Sequence, residues 1–210
     1  MKEVDLMQSV EVTQEPFFSP LLRRYTLQEF WALAEPEDRY HYDLIGGLLF
    51  VVPPPAAPHG SLDARIAASL HYYLQSNSIS GEVHHPREAI YIDEEMGTYL
   101  EPDMMYVSEA LRQQMGQKRT SADIVFEYAS KSTAVYDRTT KAHTYLALGV
   151  RELWIVDSST QTIEVIHVAT HESKTAWEVR RYSQGDWAES NVLPGWRVSV
   201  EELFEGLTEE

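Results

Sequence analysis

The sequence predicts an α/β fold in which a mixed β-sheet is flanked by helices and followed by a C-terminal antiparallel meander. Three observations carry that expectation. Short apolar runs bounded by Gly and Pro alternate with stretches of helical spacing. A strand–helix–strand unit is legible between Asp123 and Val156. Beyond it, 162–168 and 177–182 read as antiparallel strands, with Gln184-Gly185-Asp186 as a turn. The 210 residues suffice for one well-packed α/β domain and are short for two.

Residues 1–24 read as a leader, 25–205 as a single domain and 206–210 as an acidic tail. Thr26-Leu27-Gln28-Glu29 has the capping-box pattern, with Phe30, Leu33 and Ala34 at helical spacing and Pro36 as the stop. His41–Ile45 and Leu48–Val52 flank Gly46-Gly47, which predicts a hairpin with a primed turn. Pro53-Pro54-Pro55 opens a loop, and Leu62, Ile66, Leu70 and Tyr73 form one stripe of a helix from about Pro58 to Gln75. Short strands are expected at Gly81–His85, Ala89–Ile92 and Met104–Val107, with Pro102 tolerated at the opening of the last. Leu111–Arg119 reads as helical or irregular, and Asp123–Tyr128 as a central strand. Ala142, Tyr145, Leu146 and Gly149 then mark one stripe of a helix from about Ala134 to Leu148. A short loop leads to the apolar strand Arg151–Val156, and Ser199-Val200-Glu201-Glu202 is a second capping-box pattern before a last short helix.

Composition removes several function classes. The absence of cysteine excludes disulfides, thiolate zinc sites and cysteine nucleophiles. No stretch has the length of a membrane span, and Met1–Tyr25 has no apolar signal-like segment, so a soluble cytoplasmic protein is expected. The sequence holds no G-x-S-x-G, P-loop, dinucleotide-binding glycines or H-E-x-x-H. A net charge of −16 repels phosphate backbones on average. Between Arg112 and His143 the balance reverses: Arg112, Lys118, Arg119, Lys131, Arg138 and Lys141 stand against Asp123, Glu127 and Asp137, a local +3.

The chemistry-bearing residues fall in that region. Side chains alternate along a strand, so Asp103 shares a face with Met105 and Val107, and Glu127 shares one with Val125. A carboxylate on an apolar face is costly unless it is paired, hydrogen-bonded or metal-bound. Lys141 adjoins Ala142 at the start of the apolar helical stripe, from where a long amine reaches across a strand end. The simpler use of Lys141 is an i,i+4 pair with Asp137. His59 follows a Pro/Ala loop, and the expectation for it is an exposed position. The tryptophans at 154, 177, 187 and 196 are expected to pack in the core and turns rather than to stack on bases.

Asp103, Glu127 and Lys141 in this order resemble the site of the PD-(D/E)XK nuclease superfamily. The chain is similar, more closely, to a family of restriction-endonuclease-like proteins of unassigned function. The resemblance rests on Tyr42–Gly47, Pro53–His59, Pro102-Asp103, Phe126-Glu127, Ser130, Ser132-Thr133 and Asp137-Arg138, then Lys141, Tyr145, Gly149-Val150, Glu152, Trp154 and Asp157. It implies a restriction-endonuclease-like fold and a catalytic set of Asp103, Glu127 and Lys141. Two departures stand out. Ala129 occupies the usual lysine position two residues after Glu127, and Asp43 stands where Glu is frequent.

The activity implied is Mg²⁺- or Mn²⁺-dependent hydrolysis of DNA phosphodiester bonds by a homodimer. Asp103, Glu127 and the backbone carbonyl of Tyr128 would hold the metal. Asp43 would join them or bond across the hairpin turn, the second being the stronger expectation. Arg138 and Lys131 would contact phosphate. The alternative is an inactive nucleic-acid- or protein-binding module that keeps the fold.

Overall fold

The computed structural model describes residues 23–36, 39–55, 57–86, 88–93, 96–171 and 174–207. The expected leader lies outside the described residues except for Arg23 and Arg24, and so does the acidic tail beyond Leu207. Arg24 belongs to the body of the protein, bridging backbone to backbone with Leu48.

Thr26 caps α1 (Leu27–Trp31) with the full reciprocal box: its side chain accepts from Glu29 N and the Glu29 carboxylate accepts from Thr26 N. The helix stops at Trp31 rather than reaching Pro36. β1 (His41–Ile45) and β2 (Leu48–Val52) form the hairpin. Gly46 and Gly47 have φ of +54° and +81°, the positive angles a type I′ turn needs at both central positions. Next come α2 (His59–Ser76), β3 (Gly81–His84), β4 (Ile90–Ile92) and β5 (Thr98–Leu100). β6 (Met104–Ser108) runs into α3 (Glu109–Met115), whose first turn is capped by the Ser108 hydroxyl.

β7 (Ile124–Ala129) leads through α4 (Ala134–Tyr136), a π-helical segment (Asp137–Lys141) and α5 (Ala142–Ala147) to β8 (Glu152–Asp157). The chain ends with β9 (Thr162–His171), β10 (Lys174–Tyr182), β11 (Trp187–Glu189), β12 (Arg197–Ser199) and α6 (Val200–Phe204). The helix expected from Ala134 to Leu148 is therefore real but interrupted. Where an α-helix would close i→i+4, the Ala142 N–H reaches back to the Asp137 carbonyl.

The expected α/β fold is present, and among the described residues its strands are divided between three sheets. The six-stranded sheet has the order β10-β9-β8-β7-β6-β3, with only β7 and β8 parallel. A four-stranded antiparallel sheet has the order β2-β1-β5-β4, and β11 pairs with β12. Strands β5, β11 and β12 are three residues long, too short to show a period in the sequence.

Alternation along β7 and β8 splits the core between two faces. Phe126, Tyr128 and Trp154 turn toward α2, Trp196 and Phe204. Val125, Ala129, Leu153 and Ile155 turn toward Ala142, Tyr145 and Leu146 of α5. A smaller cluster of Tyr25, Leu27, Leu44 and Leu49 underlies the four-stranded sheet. Trp154 and Trp196 pack in the core as expected, with ring centroids 4.9 Å apart, whereas Trp177 and Trp187 are exposed.

Candidate active site

Glu127 lies on the α5 face of β7 and is buried. Such a carboxylate needs partners, and the helix above supplies them. Lys141 Nζ donates to Glu127 Oε2 at 2.8 Å and Tyr145 Oη donates to Oε1 at 2.6 Å. Lys141 is itself buried. Asp43 and Asp137 stand next to it, each 3.9 Å from Nζ, and Tyr136 presents its ring at 5.7 Å. The Asp137–Lys141 contact therefore exists, but the close partner of the lysine is Glu127 on the neighbouring strand.

Asp103 sits just before β6. Its Oδ2 accepts from the Tyr128 backbone N–H at 2.8 Å. Its Oδ1 lies 2.9 Å from His59 Nε2. His59 is thus not the exposed loop residue expected from the sequence. It is the first residue of α2, its side chain only 15% exposed, and its ring meets Tyr128 edge-on at 5.0 Å. The reason is the preceding run of prolines, which brings the start of α2 against the end of β7 so that Pro53–Pro55, His59 and Tyr128 line one cavity. A histidine closing a proline-rich loop at a helix start was the one available sequence signal.

Asp43 is fully buried. It does not bond across the hairpin turn. Its Oδ2 accepts from Tyr136 Oη at 2.9 Å, while Oδ1 and the nearby His41 Nε2 have no hydrogen-bond partner. Tyr136, unremarked in the sequence, carries this contact and stacks on Phe50 at 5.2 Å.

The four carboxylates of Asp43, Asp103, Glu127 and Asp137 thus surround the single ammonium of Lys141. Burial pushes the Glu127 carboxyl well up; Lys141 pulls it down, and Asp103 and Asp137 push it up again. Asp137 is likewise raised, by burial first. For Lys141 burial acts downward, but Glu127, Asp43, Asp137 and Asp103 outweigh it, so the amine holds its proton more tightly than usual. Burial acts upward on Asp103, yet the His59 hydrogen bond and charge leave it below the usual carboxylate range. His59 moves the opposite way: burial lowers it, and Asp103 more than restores it.

A cavity of about 310 Å³ opens onto this set, lined by His59, Asp103, Glu127, Asp137, Lys141 and the Ser130–Thr133 turn. Its place at the carboxyl ends of the parallel pair β7 and β8 is where open α/β sheets bind ligands. Lys131 lines the rim and is exposed. Arg138 is engaged elsewhere, donating to Asp157 at 2.7 Å and to Glu164 at 2.9 Å. The local +3 of the sequence is not an open basic face either. Arg112 pairs with Glu109, Arg119 with Glu88, and Lys141 with Glu127.

The acid-rich, all-oxygen character of Asp103 and Glu127, together with the unpartnered Asp43 oxygen, suits a hard divalent cation. Among the described residues no three acidic or histidine side chains converge on one point as the chain stands. Lys141 and Tyr145 hold both Glu127 oxygens.

A family model described as "Uma2: Putative restriction endonuclease" matches residues 27–201. A crystal structure of a putative nuclease from Anabaena variabilis is similar in fold, with a TM-score of 0.63 and 16% sequence identity over 86% of this chain and 97% of that one. No curated protein matches the chain.

Proposed function

The chain belongs to the Uma2 (putative restriction endonuclease) family, and on that premise we propose that it is a metal-dependent endonuclease hydrolysing DNA phosphodiester bonds. The observation that carries the reading is the buried Lys141 ammonium, 2.8 Å from Glu127 on the wall of the cavity that Asp103 and His59 also line. A lysine removed from water, ringed by more carboxylates than it can neutralise, is costly unless the arrangement serves a charged ligand.

Asp103, Glu127 and the Tyr128 carbonyl would hold Mg²⁺ or Mn²⁺, with Asp43 as a further oxygen donor nearby. The bound ion would lower the pKa of a water and polarise the phosphate. The protein's own residues do the rest. The Tyr128 N–H and His59 fix the direction of the Asp103 carboxylate. Tyr145 fixes that of Glu127. Lys141 keeps its proton and offsets charge developing on the phosphate, or orients the attacking water. Lys131 at the rim is placed to meet a backbone phosphate. The Arg138 guanidinium is bound to Asp157 and Glu164, so its contribution is to brace the π segment against β8 and β9.

One observation favours the rival reading of a non-catalytic binding module. Most basic side chains between Arg112 and Lys141 are tied to acids of the same chain, on a protein of net charge −16. Calorimetric titration with Mn²⁺, run beside a plasmid-nicking assay, separates the two. Wild-type protein is expected to bind the ion and nick DNA, and Asp103→Ala and Glu127→Ala to lose both. Lys141→Ala is expected to lose nicking. An absence of cleavage of DNA and RNA under Mg²⁺ and Mn²⁺ would overturn the enzymatic reading.

A further inference from the structure

The outermost strand of the six-stranded sheet, β10, pairs with β9 on one side, and among the described residues no strand pairs with its other edge. The strand is long, Lys174–Tyr182. On the face beside α5 it carries exposed apolar side chains: Trp177 is 44% and Val179 56% exposed, with Val168 of β9 at 40% directly opposite Trp177. An open edge combined with an apolar patch is a site for strand addition.

The charge pattern selects the partner. Two copies of β10 meeting antiparallel about a two-fold axis normal to the sheet keep the same face up, so the axis must pass through a residue. Centring on Glu178, Arg180 or Arg181 sets that charge against itself, and centring on Trp177 sets Arg180 against Lys174. Like charges directly opposite one another are destabilising. Centring on Ala176 or Val179 avoids this, and of the two only Val179 also sets a large exposed apolar side chain against itself at the centre. The Val179 register places Glu178 opposite Arg180 twice, Trp177 opposite Arg181 twice, and Val179 opposite itself. Ion pairs, cation–π contacts and the apolar centre then coincide in a single register.

We propose that the β10 edge is a homodimer interface in which two chains join antiparallel with Val179 on the two-fold axis, forming one twelve-stranded sheet from two copies of the six-stranded one. This does not depend on the catalytic reading. It has a geometric corollary. Because the axis is normal to the sheet, the two cavities at the ends of β7 and β8 open at opposite ends of the joined sheet.

The chain has no native cysteine, which makes the test direct. Light scattering on the purified full chain should give twice the 24.1 kDa chain mass. Glu178→Arg should weaken association by roughly tenfold or more, and the exchange Glu178→Arg with Arg180→Glu should restore it. Directly opposite residues of antiparallel strands lie within disulfide reach. Val179→Cys should therefore cross-link to itself under mild oxidation. Trp177→Cys should cross-link only when mixed with Arg181→Cys. A monomeric wild type, a dimer indifferent to the charge reversal, or self-cross-linking of Trp177→Cys in place of Val179→Cys would each overturn the proposal. Circular dichroism of each variant separates loss of association from loss of fold.

Discussion

Replacing Lys141 by methionine keeps an unbranched apolar stem, one atom shorter, and removes the ammonium with its charge and its hydrogen bond to Glu127. The ammonium makes a 2.8 Å contact with Glu127 Oε2 and lies 3.9 Å from both Asp43 and Asp137. All four groups are buried, so solvent screens them little. Breaking a buried pair by removing one partner typically costs about 3–5 kcal/mol, because the remaining charge has no compensation. For a chain of this size that corresponds to a fall in Tm of roughly 6–20 °C at neutral pH. The penalty has a definite pH dependence. Glu127 and Asp137 already bind protons more tightly folded than unfolded, and removing the lysine strengthens this. A carboxyl raised in the folded state destabilises fully above its folded pKa and ceases to do so below its unfolded pKa. The deficit of Lys141→Met should therefore shrink as pH falls from 8 toward the ordinary carboxylate range. Urea denaturation of wild type and variant at several pH values measures it. A deficit below about 1 kcal/mol at neutral pH, or one independent of pH, would refute the picture of one ammonium holding several buried carboxylates together.

Two further outcomes follow from neighbouring groups. Glu152 accepts from Trp154 Nε1, Ser190 Oγ and both the backbone and side chain of Asn191; Glu152→Ala leaves buried donors unpaired and should cost about 3 kcal/mol or more in chemical denaturation, whatever the fate of catalysis. Asp157 feels burial upward, but bonds from Ser159, Arg138 and Thr160 hold it below its usual range; its contribution is present above the unfolded carboxylate pKa and is lost as pH falls through the depressed folded value, so Asp157→Asn should flatten the acid limb of the stability profile, and an unchanged acid limb would count against the Arg138–Asp157 contact.

The parts of the fold legible in the sequence were those with strong local codes. Thr26 and Glu29 specify a reciprocal cap, Gly46-Gly47 specifies a turn with two positive φ angles, and the apolar run at 124–129 can only be a buried strand. The division into three sheets was hidden because it depends on three-residue strands whose pairing is set by tertiary neighbours. The π turn was hidden for a related reason: apolar positions before and after Asp137–Lys141 keep a near-helical period, and one i→i+5 closure leaves no mark in composition. At the candidate site, the convergence of Glu127 and Lys141 followed from strand alternation and a helical stripe. Placement of His59 and Tyr136 did not. Each is brought in by an element distant in sequence from the group it bonds, 93 residues in the case of Tyr136 and Asp43.

The surplus of carboxylates around Lys141 also sets the order in which ligands can be favourable. A phosphodiester entering this cavity without a cation meets Asp43, Asp103, Glu127 and Asp137 against one ammonium and His59, and is repelled at short range. A cation at the same place meets the opposite field. By linkage, whatever factor the ion adds to the affinity for phosphate, phosphate adds to the affinity for the ion. On the proposed reading, binding of nucleic acid and binding of metal would be coupled, and a strongly acidic protein would gain affinity for a polyanion only on the terms its counter-ion sets.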